Sequence, residues 1–343
     1  MELNKYTVQR IDTDYTTVRC NRAKLDTGTF CNYDCEFCYY QGLLHLKTDF
    51  DTIKKRIDKI YSYGIDEIDL SGGESSVHKD WFKILQYCST KFKNISTLSN
   101  GWAFARKDFM EKSKESGLTE ILFSVHGYDE QSHNEIVRRN GAWKRMLQAI
   151  ENAHELGIKV RVNCTVYQKN CDGMVGYDKI IKKINPVEVN FLTLNYWTNN
   201  KHAEPIDYKL VTDNIKTCID KIKHLDTIIN VRYTPYCYMQ GYEKYVCNQF
   251  QHIYDIYDWN LEIYDLELDT SVEYTTKEKI DLAHATASER RIRDYKKHVK
   301  CFGCKYLYIC DGVEKQVKSF DFKPVSGKKI RNVNHYRKDH YEV

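Results

Sequence analysis

Eight residues constrain this chain more than any others. Cys31-Asn32-Tyr33-Asp34-Cys35-Glu36-Phe37-Cys38 sets three thiols at C-x3-C-x2-C. Thiols this close converge on one metal centre. A structural zinc ion takes four protein ligands, and a fully ligated iron–sulfur cube takes four cysteines. Three thiolates on a four-iron cube leave one iron without a protein ligand, and an open metal position is where chemistry occurs. Spacing alone keeps a zinc knuckle in play, with His45 on the following segment as its fourth ligand.

Composition narrows the setting. In 343 residues, 42% apolar and 29% charged, there is material for a large core. No run approaches the roughly 18 apolar residues of a membrane span, and Met1-Glu2-Leu3-Asn4-Lys5-Tyr6 opens no apolar signal region. Thirteen cysteines in such a chain point to metal ligation in a reducing compartment, so a cytoplasmic protein without a membrane partner is expected. A net charge of +4 argues for no partner.

Downstream of residue 20, strand-like and helix-like periods alternate. Arg22 to Thr27 reads as a first strand leading into the cysteine loop. Ile53, Ile57 and Ile60 recur at i, i+4, i+7 before Gly64, which predicts a helix over 49–63. Ile65 to Leu70 alternates with period two and runs into Ser71-Gly72-Gly73-Glu74. Further strands are predicted at Ile95–Ser99, Glu120–Val125, Ile158–Val166 and Val187–Leu194. Helices are predicted around Trp81, over Phe109–Lys114 and Trp143–Ala153, at 174–184, and over Leu210–Leu225. About six β-then-α units favour a parallel sheet with covering helices, so the expected class is α/β, a partial (β/α)6 TIM-like barrel. Loops after the carboxyl ends of such strands build the active site. Cys31–Cys38, Gly72-Gly73-Glu74, Ser99-Asn100, Ser124 and Leu194 all fall there.

Past residue 226 the character changes. Val231 to Cys237 reads as a strand ending at a cysteine, and 276–299 is compatible with a helix. Cys301, Cys304 and Cys310 form C-x2-C-x5-C, with Cys237 or Cys247 available as a fourth thiolate. Four thiolates suit either a closed cube or structural zinc. The region is too polar to build much core alone, so a small domain wrapped around a metal is expected. The expected division is an extension over 1–20, a barrel over 21–225, the metal domain over 226–325 and a basic tail over 326–343. From Lys315 onward, eight Lys/Arg stand against three acidic residues.

In this order, the motifs resemble the radical S-adenosylmethionine (AdoMet) superfamily. C-x3-C-x2-C is its signature, with Phe37 as the aromatic before the third cysteine, and Ser71-Gly72-Gly73-Glu74 matches its Gly-Gly-Glu motif. Leu98-Ser99-Asn100-Gly101, Phe123-Ser124-Val125-His126-Gly127 and Val162-Asn163-Cys164-Thr165-Val166 match its later strand ends. The resemblance covers about 20–225 as the core and 226–325 as a twitch or SPASM-like extension. It implies that Cys31, Cys35 and Cys38 hold a [4Fe-4S] cluster whose open iron takes the amino and carboxylate groups of AdoMet. It implies that Gly72 and Gly73 admit the methionyl moiety, Glu74 orients its ammonium group, and Phe37 borders the adenine. Ser99, Asn100, Ser124, Asn163 and Leu194 would complete the AdoMet site. Cys237, Cys301, Cys304 and Cys310 would hold one auxiliary [4Fe-4S] cluster. Position 314 is Glu where a full SPASM run has a further cysteine, which fits a twitch domain better.

The implied reaction is reductive. An external one-electron donor of the flavodoxin or ferredoxin class reduces the cluster, and AdoMet yields methionine and a 5′-deoxyadenosyl radical that abstracts a substrate hydrogen atom. A nucleoside, nucleotide, nucleic-acid base or small polar metabolite is expected ahead of a peptide. The basic tail and aromatic-rich second region suit phosphates and bases. Peptide-modifying relatives often carry a leader-recognition domain, and only about 20 residues precede the first strand here. The opposing class, a zinc-knuckle nucleic-acid-binding protein, leaves Gly72-Gly73-Glu74 unexplained.

Overall fold

Burial of alternating apolar runs produces one long parallel sheet. The computed structural model describes residues 3–12, 20–42, 46–195, 206–259, 261–263 and 279–338, with side chains from 284 in the last stretch. His45 and the last five tail residues lie outside the described residues. After a short helix α1 (Leu3–Val8), the chain builds β1 (Arg22–Asp26), α2 (Phe50–Ser62), β2 (Glu67–Ser71), α3 (Trp81–Ser89), β3 (Asn94–Ser99) and α4 (Lys107–Glu115). It continues through β4 (Glu120–Ser124), α5 (Glu130–Val137), α6 (Ala142–Glu155), β5 (Lys159–Val166), α7 (Gln168–Cys171) and α8 (Met174–Ile184). β6 (Glu188–Thr193), α9 (Tyr208–Ile222), β7 (Ile228–Arg232), β8 (Val246–Cys247), β9 (Leu261–Ile263) and α10 (Lys279–Asp294) follow, then β10 (Tyr295–Lys296) and β11 (Val313–Glu314).

Helix boundaries follow local chemistry. Asp49 accepts the backbone N–H of Thr52 and caps α2, while Ile53, Ile57 and Ile60 bury its inner stripe. Asp129 and Ser132 form a capping box on α5, a helix the periodicity did not reveal.

The strand order is β8-β7-β6-β5-β4-β3-β2-β1-β9, every pair parallel, curled into a partial barrel. The expected architecture is present, but the sheet does not stop near residue 225. β7 and β8 extend one edge, and β9 crosses to the other and pairs with β1 through Ala23 and Leu261. The reason is apolar continuity: Val231, Val246, Phe250, Ile253 and Leu261 join the barrel's own buried core. The later region is also less polar inside than expected, because tyrosines supply its core. Tyr236 stacks on Tyr306 at 5.3 Å between ring centroids, and both are buried. The N-terminal segment belongs with this region too, since the Asn4 amide donates to the carbonyls of Arg291 and Tyr295.

Charged residues fill the barrel floor, near the strands' amino ends. Arg22 of β1 meets Asp69 of β2 and Glu120 of β4, each at 2.6 Å, and Arg161 of β5 meets Glu120 at 2.6 Å and Asp69 at 3.0 Å. The indole of Trp259 donates to Asp69 at 2.7 Å, so the chain between β8 and β9 is tied into this floor. These pairs satisfy one another and close that end, leaving the carboxyl ends as the open mouth.

Candidate functional site

The three thiols follow β1 on a loop whose base is fixed by backbone pairing. Gly73 N–H donates to Gly28 O at 2.9 Å and Glu74 N–H to Phe30 O at 2.8 Å, which prolongs the β1–β2 pairing beyond the strands. A Cβ on Gly72 would lie 2.0 Å from Gly28 O, and one on Gly73 2.2 Å from Phe30 O. Gly72 also has φ +116°. The glycines are therefore required by the thiol loop's own backbone.

Glu74 lines the cavity and also makes structural bonds of its own. Its carboxylate accepts from Ser99 Oγ at 2.9 Å and Asn100 N–H at 2.7 Å, and from Ser76. Burial pushes its acidity weaker while these bonds oppose the shift. Glu74 thus ties the end of β2 to the end of β3. Asn100 carries the tie onward: its amide donates to Asn32 in the thiol loop at 2.8 Å. The motif residues are a frame that positions the thiols.

Cys31, Cys35 and Cys38 are half-buried and line one cavity of about 260 Å³. Burial pushes the Cys31 and Cys38 thiols up to about 12, and Cys35 upward as well. Thiols so disfavoured as anions become thiolates when a cation joins them, which suits the donor set for a metal cluster. Phe37, Gly72, Gly73, Glu74, Ser99 and Asn100 line the same cavity, as do Ser124, Asn163 and Leu194. Ser124 caps no helix, since Asp129 caps α5. Asn163 pairs in register with Ser124 and Asn190 and faces the cavity, whereas Arg161 is committed to the ionic floor. Phe37 stands edge-on to His126, 4.7 Å between centroids.

Sequence reasoning missed five further residues of the cavity wall, Lys24, Tyr39, Tyr233, Trp259 and Glu262. Lys24 is 4% exposed, 3.2 Å from the Tyr39 hydroxyl and 3.5 Å from Asp26. The signal was present: Arg22, Lys24 and Asp26 put charge at every second position of a buried strand, the mark of an interior-facing row. Tyr233 and Trp259 gave no such signal, because the sheet's extension past β6 was not foreseen.

A second cavity, about 20 Å³, lies in the C-terminal region. Cys237, Cys301, Cys304 and Cys310 all line it, together with Lys297 and Phe322. Cys237 does not end a strand, as its surroundings suggested. β7 stops at Arg232, Tyr233 takes φ +59°, and Cys237 sits in a short 3-10 turn, Tyr236–Tyr238, behind Pro235. The helix expected at 276–299 is α10, ending at Asp294, so Cys301 lies on a separate 3-10 turn, Val299–Gly303. Cys247 is elsewhere. It lies buried beside Asp255 and Asp258, with ligand atoms within 4.8 Å of one another. Arg232 neutralises that acidic pair, bonding Asp258 and standing 3.4 Å from Asp255.

Comparison with known proteins places these sites in context. Residues 25–179 match the family model described as Radical SAM superfamily. The chain is 29% identical over 143 residues to the antilisterial bacteriocin subtilosin biosynthesis protein AlbA of Bacillus subtilis, covering 41% of this chain and 32% of that protein. It is 26% identical over 172 residues to a probable GTP 3′,8-cyclase of Saccharolobus solfataricus, covering 48% and 54%. The chain thus spans about a third to a half of these curated relatives. Among solved structures, Streptococcus suis SuiB bound to S-adenosylmethionine superposes with a TM-score of 0.61 at 15% identity, over 89% of this chain and 77% of SuiB. At that identity the likeness concerns the fold. Among the described residues, no helix is long and apolar enough to cross a membrane.

Proposed function

We propose, for a chain that belongs to the radical SAM superfamily, that Cys31, Cys35 and Cys38 hold the family's [4Fe-4S] cluster and that the adjoining cavity receives AdoMet and substrate. The observation that carries this reading is the convergence of all three thiols and the Gly72-Gly73-Glu74 frame on one cavity. When bound and reduced, the cluster and AdoMet supply reductive cleavage to a 5′-deoxyadenosyl radical, which removes a hydrogen atom from substrate. The chain's own residues position and seclude. Glu74 and Asn100 fix the thiol loop through Ser99 and Asn32. Phe37 and His126 wall one side with apolar surface, and the buried ionic floor seals the barrel beneath. Ser124, at the end of β4, and Asn163, its partner in β5, offer polar side chains to the bound cofactor. Cys237, Cys301, Cys304 and Cys310 hold one auxiliary cluster, and the domain around it is of the twitch or SPASM-like kind.

Two substrate readings rest on different observations. Peptide modification is supported by the likeness in fold to SuiB, which is also known bound to the precursor peptide SuiA, and by the likeness to AlbA, a bacteriocin biosynthesis protein. A nucleoside, nucleotide, nucleic-acid base or other small polar substrate is supported by the cavity wall of Lys24, Trp259 and Glu262 and by the GTP 3′,8-cyclase likeness, which falls on about half the chain. The test is 5′-deoxyadenosine release by the anaerobically reconstituted protein given AdoMet and reductant, with nucleoside triphosphates in one arm and a peptide library in the other. A rise in one arm alone selects that class. No 5′-deoxyadenosine under any condition contradicts the enzyme reading.

A further inference from the structure

We propose that the surface over the second thiol cluster is the docking site for an acidic one-electron carrier that reduces the auxiliary cluster. The inference rests on the auxiliary-cluster reading above. From Lys296 to Arg331 the chain carries ten Lys/Arg against three Asp/Glu, so this short segment holds more positive charge than the whole protein's net +4. Two of those three acids, Asp311 and Glu314, are buried, and the exposed one, Asp321, already stands 3.6 Å from Lys323. The outward face of the segment is therefore almost purely cationic.

Two stretches combine to make that face. Lys305 N–H donates to Val325 O at 2.6 Å, and Ile330 N–H to Lys305 O at 2.9 Å, which lays 325–330 along the cysteine turn. Lys329 Nζ donates to the carbonyls of Phe302 and Cys304. Lys300, Lys323 and Lys328 are exposed, and Val299 and Phe302, either side of Lys300 and Cys301, are 64% and 39% exposed. Cys301, flanked by Lys300 and Phe302, is only half-buried, so the cluster cavity lies just beneath this surface.

Exposed apolar side chains beside lysines suit a transient contact with an acidic protein: charge steers the encounter and the apolar side chains seat it. A nucleic-acid face would be richer in arginine and stacked aromatic rings. Here lysines dominate and Phe302 already has one edge against Tyr6. The step is a single electron leaving the reduced carrier, a flavoprotein or iron–sulfur protein, for the oxidised cluster, with no bond made or broken.

The test uses the full chain with Cys31, Cys35 and Cys38 changed to Ala, so that only the auxiliary cluster is present, reconstituted and compared with the same protein carrying Lys300→Glu and Lys328→Glu. Reduction by reduced flavodoxin is followed by loss of cluster absorbance in a stopped-flow instrument, with a photoreduced deazaflavin as a small neutral control. The double substitution should slow flavodoxin at low salt by about tenfold or more, leave the deazaflavin rate unchanged, and show a weaker salt dependence. Equal flavodoxin rates overturn the proposal. So does single-stranded RNA binding that the double substitution abolishes while flavodoxin reduction is unaffected. Absence of iron in the triple-alanine protein would instead sink the auxiliary-cluster reading, and the proposal with it.

Discussion

Single side chains around the first cavity divide into those that would touch a cluster and those that hold its ligands in place. Cys35 is half-buried, and burial first, then its neighbours Cys38 and Cys31, disfavours its lone thiolate. Cys35→Ala is expected to abolish 5′-deoxyadenosine formation while keeping the iron bound by the second cysteine group, as measured by product analysis and iron content. Gly73 acts at one remove. An added Cβ meets backbone carbonyls of Thr29 and Phe30 at 2.4 and 2.2 Å, atoms that cannot swing away. Gly73→Ala should cost about 1–3 kcal/mol by overpacking and lower iron loading at Cys31, Cys35 and Cys38. Unchanged melting temperature and iron content would show that the loop base yields more easily than its geometry implies.

Between β4 and α5, two histidines link strand end to helix. His126 Nδ1 accepts the backbone N–H of Thr165, and His133 Nδ1 accepts that of His126, so each ring is neutral and protonated on Nε2. Burial, then His133, pulls His126 down to about 3, and burial pulls His133 to about 4. Folded values below the unfolded 6.5 mean that the unfolded chain takes up protons first. Stability is therefore full above pH 6.5 and falls as pH falls through the window toward 4 and 3. Between pH 6.5 and 5 the pair should cost about 3 kcal/mol. Melting temperature measured across pH 7.5 to 5 should drop steeply, and a flat profile would contradict the neutral-pair account. Elements such as α2 and β4 were legible because period and caps agreed; Ile53, Ile57 and Ile60 leave little choice. α5 was not, since its capping box precedes only a short apolar pair, Ile136 and Val137. β8 and β9 are two and three residues long, and only their pairing partners reveal them as strands.

At the scale of the molecule, pairing of β9 with β1 joins the region after residue 226 to the barrel, so Trp259 and Glu262 reach the first cavity. That is why part of the site was legible in the motifs and part was not. Cys31 to Ser124 lie at strand ends whose order the chain states directly, whereas Trp259 and Glu262 arrive by a crossover that no local pattern encodes. The two cysteine groups nonetheless line separate cavities. Cys304→Ala should accordingly lose the second group's iron and spare the first, read as about half the wild-type iron with AdoMet-dependent spectral change retained. The most direct test of the central claim is iron, sulfide and zinc measured on one anaerobically reconstituted sample. About eight irons per chain with matching sulfide are expected for two four-iron cubes. Stoichiometric zinc without iron would contradict the account.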